Sequence, residues 1–295
     1  MKRVLITTVL IVVVLAAVIA FYFRPGHTRF TPLPAIATGA TLHLKPPRAV
    51  ILVIDENKSP GDVLDDLDRG PYIRSLASRG ALFTNSYGIT HPSQPNYFAL
   101  FSGLATSNAD NCPAVGIANT APNLASELLA AHRTFVAYSE DLPSVGYDGC
   151  ATDQYARKHA PWTHFTNVPR YLERPFSQLS SPDDLPDVTF IIPNLIHDMH
   201  SASVERGDAW LQDHLEPIIQ WGALNNALVI YTFDESSAYF TNRIPTIFIG
   251  PMVKPGKYDE PISHYSVLRT IEDLYALPHA GHSAEVAPIV DIWRS

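Results

Sequence analysis

Residues 49–57 read AVILVIDEN, and how this stretch is read decides the fold. An unbroken apolar run, 49–54, follows Pro46 and Pro47 and gives way to the polar DENKSPGD. No polar alternation marks a solvent face, so the run reads as a strand buried on both faces, as parallel strands are. Runs of the same kind recur in TFVAYS (134–139), VTFIIP (188–193), ALVIYTF (227–233) and PTIFIG (245–250). Helical patterns lie among them, in YIRSLASRG, NLASELLAAH, GDAWLQDHLEPIIQWG and HYSVLRTIEDLYAL. The alternation predicts an α/β fold, a mostly parallel central sheet with helices on both faces.

Ligands bind such sheets beyond the carboxyl ends of the strands. Acids stand at four of those ends: Asp55-Glu56-Asn57, Glu140-Asp141, the segment from Asn194 to His200 with Asp198, and Asp234-Glu235. Carboxylates gathered without a neutralising partner repel one another, so a divalent cation is the economical explanation. Taken singly, Glu56-Asn57 also reads as a helix cap or Asx turn. Asp234-Glu235 reads equally as an ordinary loop pair, and His200 and His264 as structural histidines. Their joint occurrence at successive strand ends is what points to a site. The stretch THPSQPNYFALFSG (90–103) places Ser93 between two prolines, just ahead of an apolar run. It reads as a nucleophile at a strand-to-helix turn, activated by a nearby cation. A serine hydrolase triad is disfavoured, because the chain has no GxSxG elbow and a triad would leave the acids without a role.

At 295 residues the chain suits one large domain. A net charge of −8 argues against a nucleic-acid binder, which would carry a basic stripe. Val4 to Phe23 carries no charged residue and follows Lys2 and Arg3, so it reads as an uncleaved membrane anchor or a signal peptide. Its length favours the anchor, and either reading places the catalytic part outside the cytoplasm. Residues 1–23 are thus the anchor or signal, 24–47 a Pro-rich linker, and 48–295 the catalytic domain. In an oxidising compartment Cys112 and Cys150 read as a disulfide, with two inert buried thiols as the alternative.

Seven segments, in this order between Ala49 and Leu277, carry a resemblance: THPSQPNYFALFSG, AYSEDLPSVGY, YARKHAPW, IPNLIHDMH, GDAWL, NRIPTIFIGPMVKPG and HYSVLRTIEDLY. Together they resemble the bacterial acid phosphatase and phosphoesterase family, which also holds phosphatidylinositol phosphatases and, more distantly, bacterial phospholipases C. The resemblance implies an alkaline phosphatase-like core. It also implies metal-dependent hydrolysis of phosphate monoesters through a phosphoseryl intermediate. Ser93 would attack phosphorus and Asn96 would donate its amide to a phosphoryl oxygen. Glu56, Asn57, Asp234 and Glu235 would be metal ligands, with His264 completing the set or touching phosphate. Asp198 and His200 would be ligands or the acid for the leaving alkoxide, and Lys158 and His159 phosphate contacts. The metal would be Ca²⁺, Mg²⁺, Mn²⁺ or Zn²⁺, and the substrate a phosphorylated small molecule or lipid. The chain departs from the family at Asp55, at Lys58, where relatives carry His, and at Ser236-Ser237-Ala238, where they continue with acids and a glycine. Two rivals remain at this point: a phosphodiesterase of the phospholipase C type, and a non-catalytic envelope protein that binds metal or phosphate.

Overall fold

The run at 49–54 becomes the middle of a sheet. A computed structural model describes residues 42, 44–105 and 109–294, and in it β1 (Val50–Asp55) is buried along its whole length. The chain continues through α1 (Pro71–Arg79), β2 (Ala81–Tyr87), α2 (Ser93–Ser102), α3 (Leu124–Ala130) and β3 (Phe135–Ser139). A small hairpin, β4 (Ala151–Thr152) and β5 (Tyr155–Ala156), precedes β6 (Glu173–Pro175) and β7 (Val188–Ile192). Then come α4 (Val204–Asn225), β8 (Leu228–Phe233), β9 (Arg243–Ile249), β10 (Gly256–Tyr258), β11 (Ile262–Ser263) and α5 (His264–Leu274). The main sheet runs β10-β2-β9-β8-β1-β7-β3-β6, with β11 also on β2.

All five expected strands are present, but the sheet is mixed. β9, the PTIFIG run, lies antiparallel to both β8 and β2, while the other pairings in the sheet are parallel. The reason is the short connection 234–242, which cannot hold the crossover helix that a parallel return requires. Pro245 is tolerated inside this central strand because the β2 ladder shifts register opposite it, between Phe83 and Ser86.

Both faces of β1 are covered, as its unbroken apolar sequence demands. Val50, Leu52 and Ile54 pack with residues of α2, α3 and α5; Ile51 and Val53 pack with residues of α1 and α4. α3 starts at a capping box, with Ser126 N–H donating to the Asn123 side chain and Asn123 N–H to Ser126 Oγ. On the first face Phe101 of α2 meets Phe135, Trp162 and Phe190 at ring separations of 5.7, 5.9 and 5.8 Å. This cluster sets the α2 helix, which begins at Ser93, against the sheet and against the turns after β5.

The two cysteines are bonded, Cys112 to Cys150, which fits an extracytoplasmic protein. The expected anchor or signal at 1–23, and most of the 24–47 linker, lie outside the described residues. Among those described, no helix is long and apolar enough to cross a membrane.

One buried acid of α5 governs a pH dependence of stability. Burial raises the Glu272 carboxyl to about 8, and nearby Glu127 adds to this. Ser283 Oγ lies 2.8 Å from Ala280 O and 2.6 Å from Glu272 Oε2. One hydroxyl hydrogen cannot serve both, so a proton on Glu272 completes the network. Because the folded value exceeds the unfolded one, this group destabilises the fold progressively as pH rises from about 4.5 to about 8. Glu272→Gln keeps the same hydrogen-bond pattern. It is expected to flatten that part of the profile, gaining on the order of 2–4 kcal/mol at pH 8 over wild type, read by denaturant melts at pH 5 and pH 8.

Candidate active site

Glu56, just beyond β1, is fully buried. Its N–H donates to Asp198 O at 2.7 Å, stitching the loop after β7 to the loop after β1. Asn57 follows in the left-handed region at φ 56, which Asn tolerates, and its N–H reaches Asp234 Oδ1 at 3.0 Å. Three strand ends are thereby tied together by main-chain donors. Met199, between Asp198 and His200, also has a positive φ, 71, and is wholly buried. Lys58 Nζ donates to its carbonyl at 2.8 Å. A non-glycine residue held there stores strain that only an over-determined surrounding sustains.

Ser93 opens α2 and is 2% exposed. Its hydroxyl donates to Glu56 Oε2 at 2.9 Å and bears also on the Asp234 carboxylate. One helical turn on, Tyr97 donates to Glu56 Oε1 at 2.6 Å, and its ring stacks on His159 at 4.9 Å. His159 Nε2 comes within 3.0 Å of Glu56 Oε1, and its Nδ1 within 3.6 Å of Asp198 Oδ2. Yet His159 Nε2, Asp198 Oδ2 and Asp234 Oδ2 are buried without a hydrogen-bond partner. The 3.0 Å approach therefore lies off the hydrogen-bond direction.

Burial raises the carboxyls of Glu56, Asp198 and Asp234 well above the ordinary range. Repulsion adds to it, from Asp234 on Glu56, Glu56 on Asp198, and Glu235 on Asp234. Burial lowers His159, with Lys158 and His200 adding, so its imidazole is neutral, the form a metal ligand requires. Glu56, His159 and Asp198 each present one ligand atom, all within 4.8 Å of one another. Unpaired buried donor atoms, mutually repelling acids and a neutral imidazole fit a divalent cation, and this oxygen and nitrogen set suits Zn²⁺, Mn²⁺ or Mg²⁺.

The remaining expected residues fall as follows. Asn96 spends its amide within the preceding loop: it donates to Thr90 O at 2.8 Å and Pro92 O at 3.2 Å, and accepts from the N–H groups of Ile89 and Thr90. It braces the turn that leads into Ser93, and its amide hydrogens point into that turn rather than outward. Glu235 turns to His91, with Oε2 2.8 Å from Nδ1, instead of joining the cluster of Glu56, His159 and Asp198. Buried His264 donates from Nε2 to Asp234 O at 2.6 Å, so it supports that loop through the backbone. His200 is exposed at the rim, its N–H donating to Asp198 Oδ1 at 2.7 Å. Lys158 Nζ donates to Asp110 Oδ2 at 2.8 Å, while Asp110 Oδ1 accepts Gln94 N–H at the head of α2. Against the effect of burial, Glu56, Asp110 and Asp234 raise the Lys158 ammonium, which keeps a positive charge beside Ser93's helix.

Residues 55–278 match the Phosphoesterase family. The chain belongs to that family. It is 46% identical over 248 residues to a phosphatidylinositol-3-phosphatase of Mycobacterium tuberculosis, covering 83% of this chain and 82% of that protein. It is 31% identical over 228 residues to a phosphate-repressible acid phosphatase of Penicillium chrysogenum, covering 71% of this chain but 55% of the fungal one. Among solved structures, a protein of the alkaline phosphatase superfamily from Vibrio parahaemolyticus aligns with a TM-score of 0.62 at 13% identity, covering 84% of this chain and 70% of that one. The lipoteichoic acid synthase LtaP of Listeria monocytogenes aligns at 0.58 and 9% identity, covering 81% and 74%. These two likenesses show the fold, an alkaline phosphatase-like core.

By family and relatives, this phosphoesterase is a phosphoric monoester hydrolase of the acid phosphatase kind. Sequence reasoning passed over three of its site neighbours. Tyr97 stands four residues after Ser93, a spacing that puts both on one helix face, but nothing in the sequence shows that its hydroxyl meets Glu56. His91 and Asp110 gave no signal, since each serves the site only through a partner distant in sequence.

Proposed function

We propose that this phosphoesterase hydrolyses phosphate monoesters through attack of Ser93 Oγ on phosphorus. Its substrate class is taken to include phosphatidylinositol phosphates, as the Mycobacterium tuberculosis relative suggests. The observation that carries the reading is the buried contact of the Ser93 hydroxyl with Glu56, at 2.9 Å, at the head of a helix. Glu56 Oε2, which already accepts the Ser93 hydrogen bond, is the acceptor for the serine proton as the O–P bond forms. The positive end of the α2 dipole favours the developing anionic oxygen. Lys158 brings further positive charge to the phosphoryl group, held in place by Asp110. As the ester bond breaks, the leaving alkoxide takes a proton from water at the open rim, where His200 stands. Water then releases phosphate from the phosphoserine by the reverse path.

Glu56, His159 and Asp198 would hold a divalent cation, with Asp234 alongside. Bound there, such a cation supplies Lewis acidity, lowering the serine pKa and offsetting phosphate charge.

The test is steady-state kinetics on the purified full chain, stripped with chelator and resupplied in turn with Mg²⁺, Mn²⁺, Ca²⁺ or Zn²⁺. Hydrolysis of p-nitrophenyl phosphate restored by at least one ion, well above that of a phosphocholine diester, is expected. Preference for the diester, or no hydrolysis with any ion, would overturn the reading.

A further inference from the structure

The connection 234–242 leaves β8 directly from Asp234 and Glu235 and carries two large exposed rings at its tip. Tyr239 is 63% exposed and Phe240 80%. The base of this loop is fastened to the segment that leads into Ser93. Gly88 N–H donates to Asn242 O at 2.9 Å, Asn242 Nδ2 donates to Thr90 O at 3.0 Å, and Ser236 N–H donates to Asn242 Oδ1 at 3.0 Å. The two segments approach so closely that a Cβ on Gly88 would lie 2.8 Å from Asp234 O. Tyr239 stacks on His91, ring centres 5.1 Å apart and planes at 20°. Phe240 meets Tyr239 edge-on at 5.7 Å. The rings therefore stand on the rim of the site, two residues from the nucleophile by way of His91.

We propose that Tyr239 and Phe240 form a lip that dips into a lipid surface, so that the site takes phosphate monoesters presented by a bilayer in preference to the same group dispersed in water. This rests on the monoesterase reading above and goes beyond it by naming how the substrate is reached. The tip's side chains, Ala238, Tyr239 and Phe240, carry no charge and one hydroxyl among them, so what they chiefly offer a partner is apolar contact. Aromatic rings with one apolar and one polar end settle at the membrane–water boundary. A chain of net charge −8 gains no general attraction to an anionic surface. Adsorption of the catalytic face must then come from apolar insertion.

The experiment compares the full chain with two double variants, Tyr239→Ser with Phe240→Ser, and Tyr239→Trp with Phe240→Trp. All three share the same N-terminal segment, so its contribution cancels. The readout is the ratio of kcat/KM for a long-chain phosphatidylinositol phosphate in phosphatidylcholine vesicles to that for its short-chain, dispersed analogue. The ratio is expected to fall at least tenfold in the serine variant and to be kept in the tryptophan variant. An unchanged ratio in the first, or an equal fall in both, would overturn the lip. A second readout needs no turnover: Phe240→Trp in vesicles of brominated phosphatidylcholine should show extra fluorescence quenching over wild type, and none would overturn the proposal. Absence of all phosphatase activity would sink the enzymatic reading instead, while quenching still decides the lip.

Discussion

Ser93→Ala is expected to lower kcat on p-nitrophenyl phosphate by a factor of about 10³ or more, while the protein folds and melts nearly as before. The fold tolerates the change because the hydroxyl's partners are few. Glu56 keeps the Tyr97 donor at 2.6 Å and the Asn57 amide at 3.3 Å after Ser93 Oγ is gone. α2 does not depend on a side-chain cap at its head. A stability loss of about 1 kcal/mol, that of one hydrogen bond, is the scale to expect. Kinetics together with a thermal melt separate the two effects. A variant retaining a tenth of wild-type turnover would show that another group attacks phosphorus.

Asp234→Asn is expected to cost about 10² or more in activity, while making the metal-stripped protein more stable by about 1–2 kcal/mol. Asp234 is wholly buried, accepts from Asn57 N–H through Oδ1, and leaves Oδ2 without a partner. Burial, then repulsion from Glu235, holds its carboxyl well above the usual value of 3.8. The sign follows from linkage: an acid with a raised folded pKa stabilises the unfolded chain increasingly as pH rises above the unfolded value. In chelator, wild type should therefore lose stability from pH 5 to pH 8 more steeply than the asparagine variant. Added divalent ion should raise the wild-type Tm and move the variant's far less. Melts in chelator and in saturating metal at both pH values check this. A variant less stable without metal, yet still fully stabilised by it, would remove Asp234 from the metal's surroundings.

The sheet was legible because strands buried on two faces leave long apolar runs. The same logic explains what escaped. β2 carries exposed Thr84 and half-buried Asn85 in its outer half, which breaks the run, and β10 and β11 are too short to register. The direction of β9 was not written in its residues; it follows from the length of the loop before it. At the site, residue types at strand ends located Glu56, Asp198 and Asp234, but not the facing of neighbouring side chains. The resemblance makes His159 a phosphate contact, and the structure sets its ring against Glu56 and Asp198, a juxtaposition no spacing announces. Glu235 and Asn96 have the right chemistry for the roles assigned to them, yet the 88–92 turn lies close enough to engage both. Such competition between a nearby loop and a site is decided by packing, which no spacing rule encodes.

The central claim is that Ser93 becomes covalently phosphorylated during turnover. Acid-quenching the metal-loaded enzyme with p-nitrophenyl phosphate in the steady state, followed by peptide mass spectrometry, tests it most directly. One phosphoryl group on Ser93, absent from a quench without substrate, is the expected result. Robust turnover with phosphate mapped to a different residue, or with no phosphorylated peptide under any quench interval, would contradict it.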